Sequence, residues 1–245
     1  MNRFTISLAG IAVEIECLHD EAYDMCVPYL CDRAADFCVR VTPADIEFER
    51  EKSLREAWME HLPPMDYPDA YLETLAVYRK IAVKMLDYDV FLMHGSAVCA
   101  DGAAYLFTAA SGVGKTTHTR LWLSEIAGSF VVNGDKPLIR LNGGRAEVCG
   151  TPWAGKEALN TNVVVPLRAV CILERGTENR IERVSFRDVY PFLFQQCYRP
   201  AEPEAMRKTM ELLKHLSECV GLYRLRCNMN PDAALTAYEG MRGGV

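Results

Sequence analysis

The sequence predicts an α/β fold, a sheet covered by helices, and three observations carry that prediction. Short apolar runs with strand character alternate with longer stretches of helical periodicity. One such strand, Ala103 to Thr108, meets a glycine-bearing turn and then a helix from Lys115 to about Ile126. A second buried strand, Phe130-Val131-Val132, runs directly into Asn133-Gly134-Asp135.

The remaining elements follow in order. Between residues 3 and 16 the apolar positions Phe4, Ile6, Leu8, Ile11, Val13 and Ile15 alternate, which predicts a hairpin turning near Ala9-Gly10. Residues 40–62 crowd Glu47, Glu49, Arg50, Glu51, Lys52, Arg55 and Glu56 together and read as a solvated face or a mobile connection. Pro63-Pro64 and Pro68 break the chain before a helix from Ala70 to Leu86. Its apolar residues Leu72, Leu75, Ala76, Ile81, Ala82, Met85 and Leu86 recur at three- and four-residue steps. Asp66 or Asp69 can cap its start. A short strand, Val90 to Met93, then ends in His94-Gly95-Ser96, and Gly128 is placed to stop the helix after the glycine turn. Ala169–Leu173 and Leu222–Cys227 read as strands, Glu202–Val220 as a helix, and Asn230-Pro231 as the opening of a last one. Residues 1–85 form an N-terminal α+β segment in this reading, packing on or capping a core of residues 86–245.

Bulk properties narrow the partners. With 245 residues, half of them hydrophobic, the chain can fill one large domain or two small ones. A net charge of −6 gives no long-range attraction to a phosphate backbone or an anionic membrane, so neither nucleic acid nor membrane is an expected partner. The N-terminus shows no clear export signal, and no run approaches the ~20 apolar residues of a membrane span. None of the ten cysteines forms a C-x-x-C pair, and the gaps between Cys26, Cys31 and Cys38 match no zinc pattern. Reduced, mostly buried thiols in a cytoplasmic protein are the expectation.

The chemistry concentrates in Ser111-Gly112-Val113-Gly114-Lys115-Thr116-Thr117. A strand, a glycine turn and a helix N-terminus gather backbone N–H groups around one anion, and the helix dipole adds roughly half a positive charge. Gly112 and Gly114 let the backbone approach phosphates without a Cβ in the way. Lys115 supplies a point charge for the terminal phosphates, and the Thr116 hydroxyl can ligate Mg²⁺. The pattern G-x-x-x-x-G-K-[ST] lacks its first glycine, because Ala109 stands there. Asp135 ends the next strand, where a second Mg²⁺ ligand is needed. His94 ends a strand just before the loop strand, and His118 lies in the loop helix, facing either solvent or core. ATP with Mg²⁺ is therefore the expected ligand.

These residues resemble a family. His94-Gly95-Ser96, the run Phe107 to Thr117, and Asn133-Gly134-Asp135-Lys136-Pro137 are similar to the HPr kinase/phosphorylase and ATP-dependent phosphoenolpyruvate carboxykinase superfamily, above all its bacterial HPr kinase-like members. Gly150-Thr151-Pro152-Trp153-x-Gly155-Lys156 and Leu173-Glu174-Arg175-Gly176 extend the likeness, which covers residues of about 90 to 185. It implies a P-loop core with helices covering a mixed sheet, and Lys115 on the β- and γ-phosphates. It also implies Thr116 on the metal and His94 near the transferred phosphate. An Asp-Asp pair normally supplies a metal contact and a base, whereas this chain reads Gly134-Asp135. Lys156 and Arg175 are candidate phosphate or substrate contacts, and Trp153 either flanks a ligand or fills the core. Known HPr kinases form oligomers, so a homo-oligomer is one state to expect, although no motif here marks its interface.

Two functions follow. One is a kinase that moves the γ-phosphoryl of ATP to a hydroxyl, on a serine of a small protein or peptide or on a small metabolite; its catalytic residues would be Lys115, Asp135 and His94. The other is a nucleotide-binding regulatory protein with little turnover, in which an acid restored at Gly134 would create activity. Decarboxylation of oxaloacetate is disfavoured, because carboxykinases of this type are far longer chains.

Overall fold

The computed structural model describes residues 2–59 and 61–243, which divide into two compact units, Met1–Lys84 and Met85–Val245. In the first, β1 (Asn2–Leu8) and β2 (Ile11–Cys17) form an antiparallel hairpin. Its turn residues Ala9 and Gly10 both have positive φ, 52° and 80°, a conformation whose twist suits a two-residue hairpin loop. After α1 (Glu21–Cys26), β3 (Phe37–Arg40) lies parallel to β2. Then come α2 (Pro43–Met59) and α3 (Asp69–Lys84). Leu72, Ala76, Val77 and Ile81 make the buried face of α3. Its buried Glu73 accepts hydrogen bonds from the backbone N–H groups of Leu18 and His19, at 2.6 and 2.8 Å, which satisfies the carboxylate.

Of the two readings of residues 40–62, helix α2 overturns the mobile connection and agrees with the solvated face. Thr42 donates both its backbone N–H and its hydroxyl to the Asp45 carboxylate, at 2.9 and 2.7 Å, and Pro43 takes the first helical position. Only Ile46 and Glu49 of this helix are buried, so it has almost no apolar stripe to betray it. Arg79 of α3 bonds Glu49 at 2.5 Å and Asp45 at 3.2 Å, so an ion-pair network takes the place of an apolar seam.

The second unit is built on a nine-stranded mixed sheet. Its strands are β4 (Val90–Leu92), β5 (Ser96–Ala100), β6 (Ala103–Thr108), β7 (Phe130–Asn133), β8 (Leu138–Asn142), β9 (Arg145–Cys149), β10 (Val164–Arg175), β11 (Arg180–Arg183) and β12 (Gly221–Cys227). The order runs β4-β8-β9-β10-β6-β5-β7, with β12 on β10 and β11 on β12. Helices α4 (Lys115–Glu125) and α7 (Asp232–Arg242) bury Trp122, Ala234, Ala237 and Met241 with Tyr105, Phe107, Cys171 and Leu225. Helices α5 (Phe186–Gln196) and α6 (Pro203–Cys219) bury Val189, Leu193, Leu212 and Leu216 in a separate cluster with Leu106, Val170, Ile172 and Leu222.

Long β10 joins the two halves of this sheet. Its first residues, Val164 to Pro166, pair antiparallel with β9, and from Leu167 onward it pairs parallel with β6 and β12. The register against β6 shifts between Leu167 and Ala169, where the strand passes from one set of partners to the other. Three parallel strands thus end together, at Thr108, Arg175 and Cys227. Ligands of open α/β sheets bind outside such carboxyl ends.

Candidate functional site

The loop leaving β6 is shaped by its glycines. Gly112 has φ +76° and Gly114 φ +127°, and a Cβ built on either meets no atom within 4 Å. Backbone conformation, rather than crowding, is therefore what calls for glycine at these two positions. Helix α4 begins at Lys115 with Gly114 as its N-cap and no side-chain cap, so no side chain competes for its first N–H groups. Lys115 is half-buried and its ammonium points back to the Ala109 carbonyl oxygen at 3.4 Å. Burial pulls its pKa down, and Asp135 opposes that shift.

Asp135 is placed by a buried hub that the sequence reading missed. Asn133, fully buried, accepts from the N–H groups of Asp135 (2.9 Å) and Lys136 (2.7 Å). The same side chain donates to the carbonyl and hydroxyl oxygens of Thr151, both at 3.0 Å, and Thr151 donates to the Lys136 carbonyl at 2.8 Å. An Asn two residues before an Asp at a strand end is a turn signal that could have identified it. Gly95 N–H donates to the Asp135 carbonyl at 2.9 Å, and Gly95 itself is required, since a Cβ would sit 2.8 Å from the Phe107 carbonyl oxygen. His94 is fixed by its N–H on the Gln196 carbonyl (2.7 Å) and by Thr108 donating to its own carbonyl (2.9 Å).

His94 Nε2 lies 3.2 Å from Asp135 Oδ1, and Lys136 Nζ is 4.0 Å from Oδ2. Burial would raise the Asp135 pKa, but His94, Lys136 and Lys115 together hold it below the usual carboxylate range. Asp135 is therefore an anion at neutral pH.

A cavity of about 560 Å³ gathers these groups: Ser111, Gly112, Gly114, Lys115, Thr116 and Thr117 from the loop, with His94, Asp135 and Lys156 around it. Val113 lines a second cavity of about 490 Å³, which lies against the carboxyl ends of β10 and β12 and shares Gly112, Gly114 and Thr117 with the first. Arg175 borders this second space, where its guanidinium donates to the Gly112 carbonyl at 2.7 Å and braces the loop. Trp153 is buried, and His118 faces the core.

Position 134 is tight as well as uncharged. A Cβ on Gly134 would lie 3.1 Å from the Ala154 carbonyl oxygen and 3.3 Å from that of Leu159. A side chain there is accommodated only if these two backbone oxygens give way by a few tenths of an ångström. The 154–159 segment is tied to α4 by the Arg120–Glu157 ion pair.

Buried His118 makes the unit acid-sensitive. It is 3 % exposed, and burial pulls its pKa down to about 4. The unfolded chain therefore binds a proton at higher pH than the folded one, and stability falls as pH drops from about 6.5 toward 4. Denaturant titrations at pH 7 and 4.5 should show His118→Gln escaping a loss of about 2–3 kcal/mol that the native chain suffers. An equal loss in both proteins would refute the assignment.

No family model matches the chain, and no curated protein matches it. Among solved structures it is similar to the HPr(Ser) kinase/phosphatase from Coxiella burnetii, with a TM-score of 0.36 and 9% sequence identity, over 62% of this chain and 99% of that one. The likeness is distant.

Proposed function

We propose that the protein binds ATP with Mg²⁺ and transfers the γ-phosphoryl group to a hydroxyl, as an HPr kinase-like phosphotransferase. The acceptor is a serine of a small protein or peptide, or a small hydroxylated metabolite. One observation carries this reading: a single cavity is floored by the glycine loop and collects Lys115, Thr116, Asp135 and His94. The uncapped start of α4 and the Lys115 ammonium suit the phosphates, and the adjoining cavity suits the nucleoside.

Thr116 and Asp135 both line this cavity and offer oxygen ligands, a set that fits Mg²⁺, which when bound would offset charge on the phosphates. In the transfer, the acceptor oxygen bonds to the γ-phosphorus and the bond from that phosphorus to the bridging oxygen of ADP breaks. The hydroxyl proton passes to the His94–Asp135 pair. Lys115 holds the charge spreading over the transferred group, and exposed Lys156 supplies a second cation on the acceptor side.

A second reading, nucleotide binding with little turnover, is favoured by Gly134, which lacks the acid and sits in tight backbone surroundings. A single-turnover assay with γ-labelled ATP and a panel of serine peptides and hydroxylated metabolites separates the two. Transfer of label is the expected result. Intact ATP binding with no transfer to any acceptor would leave only the second reading.

A further inference from the structure

We propose that Arg175 is a positioning residue for phosphate binding: it holds the Gly112 carbonyl oxygen toward the second cavity and so keeps an electron-rich atom away from the phosphates. This inference rests on the nucleotide reading above and adds to it a residue that acts through the loop, touching neither phosphate nor base.

One peptide of the loop is pinned at both ends. Gly112, at φ +76°, takes the third place of a turn that Val113 N–H closes on the Ala110 carbonyl at 3.3 Å. A type II turn needs positive φ at that place. A trans peptide sends its N–H and C=O in opposite directions. While Val113 N–H reaches back to Ala110, the Gly112 carbonyl therefore points the other way, to the Arg175 guanidinium 2.7 Å off. Among the described residues, this is the one hydrogen bond that reaches residues 110–114 from outside the loop and α4.

Arg175 is well placed and otherwise uncommitted. Its backbone is fixed at the end of β10 by the register with Cys227 of β12, and Gly176 N–H donates to the Cys227 carbonyl at 2.9 Å. The adjacent carboxylate, Glu174, is paired with Arg224 at 2.9 Å and Arg226 at 3.1 Å. Arg175 has no carboxylate partner among the described residues, and its donor goes to the loop instead.

The direction of that pull matters. Arg175 borders the second cavity and not the first, while Gly112 borders both, so the bond draws the Gly112 oxygen toward the second. Glycine passes easily between backbone wells. Without Arg175 only the longer turn bond to Ala110 restrains this peptide. The oxygen is then free to turn toward the phosphates, where its partial negative charge opposes what the surrounding N–H groups favour.

The test compares the native full chain with Arg175→Met, an exposed position whose loss leaves both apolar clusters intact. Both are labelled with ¹³C-carbonyl glycine and ¹⁵N-valine, so that only the Gly112–Val113 and Gly244–Val245 pairs give correlated signals. The ligands are ATP and, as the base-free probe, tripolyphosphate. Arg175→Met should move the Gly112 carbonyl resonance of the ligand-free protein. It should weaken ATP and tripolyphosphate by the same factor, about 10- to 100-fold, the range for a hydrogen bond with a charged partner. That factor should persist at about 0.5 M salt, where long-range attraction is screened. Unchanged affinity for both ligands overturns the proposal. A loss confined to ATP overturns it in favour of a base contact, and a loss that salt removes overturns it in favour of charge alone. So does ATP moving the native Gly112 signal to its position in Arg175→Met, which would mean that Arg175 leaves the loop for the phosphates. If the native chain binds neither ligand, the nucleotide reading falls and takes this inference with it.

Discussion

Replacing Lys115 with methionine is expected to abolish the proposed phosphoryl transfer while making the free protein more stable. The first half follows from position. Lys115 opens α4 on the floor of the cavity, and removing a preorganised cationic donor from a phosphoryl-transfer site lowers the rate by about 10²–10³-fold or more. The second half follows from the sign of its pKa shift. Burial depresses the folded-state pKa, with Asp135 only partly opposing it, so the charged lysine is disfavoured in the fold at every pH below that pKa, neutrality included. Methionine has a similar length and no charge to desolvate. A transfer assay with γ-labelled ATP and a thermal melt of the ligand-free protein check both halves. Unchanged transfer in the variant would sink the role of Lys115, and a melting point lowered by several degrees would sink the account of its cost to stability.

Gly150→Ala should have the largest effect on folding. The added Cβ would lie 1.9 Å from the Thr161 carbonyl oxygen, 2.9 Å from its carbon and 3.0 Å from the Val132 carbonyl oxygen. All three are backbone atoms, and they are not free to withdraw: Thr161 N–H donates to Val132 at 3.1 Å, and Gly150 N–H donates to Val163 at 3.0 Å. Overpacking of this kind costs about 3 kcal/mol or more. The displacement would also reach Thr151 and hence the Asn133 hub. Gly143→Ala is the control, since at φ +55° it meets only open space and should cost about 1 kcal/mol of backbone strain. Chemical denaturation of both variants decides whether sterics outweigh strain here. Equal losses would show that the 149–163 backbone yields easily.

The parts legible in the sequence are those that advertise themselves locally. The turn at Ala9-Gly10, the strand–glycine loop–helix run and the strand into Asn133 each combine a burial pattern with a turn residue. Helix α6 lies at Pro203–Cys219, where its strong apolar stripe places it. Helix α5 was not legible because Pro191 sits inside it, although Ser185 caps its start by accepting from the Asp188 N–H. The β8–β9 hairpin escaped notice despite its Gly143-Gly144 turn, whose φ values are 55° and 79°. In the site, the residues with chemistry of their own could be picked out one by one. The residues that hold them could not: Asn133, Thr151 and Gln196 act through partners far along the chain, Thr151 on Lys136, Asn133 on Thr151 and Gln196 on Thr108 and His94, and nothing in a linear pattern records those pairings. Arg175 illustrates the difference, because its charge was visible and its bond to Gly112 was not.

Strand β10 has a consequence for how this chain tolerates insertions and deletions. Its twelve residues start beside β9, next to the segment that braces Asp135, and finish at Arg175, the residue that grips the glycine-loop backbone. Side chains alternate along a strand, so a single residue added or removed inverts every orientation beyond it. The irregularity between Leu167 and Ala169 already sets the phase between the two ends. One codon gained or lost between Ala169 and Leu173 would turn Arg175 off Gly112 while leaving each end of the strand intact in sequence. Length along β10 is thus as strictly constrained as any side chain in the cavity.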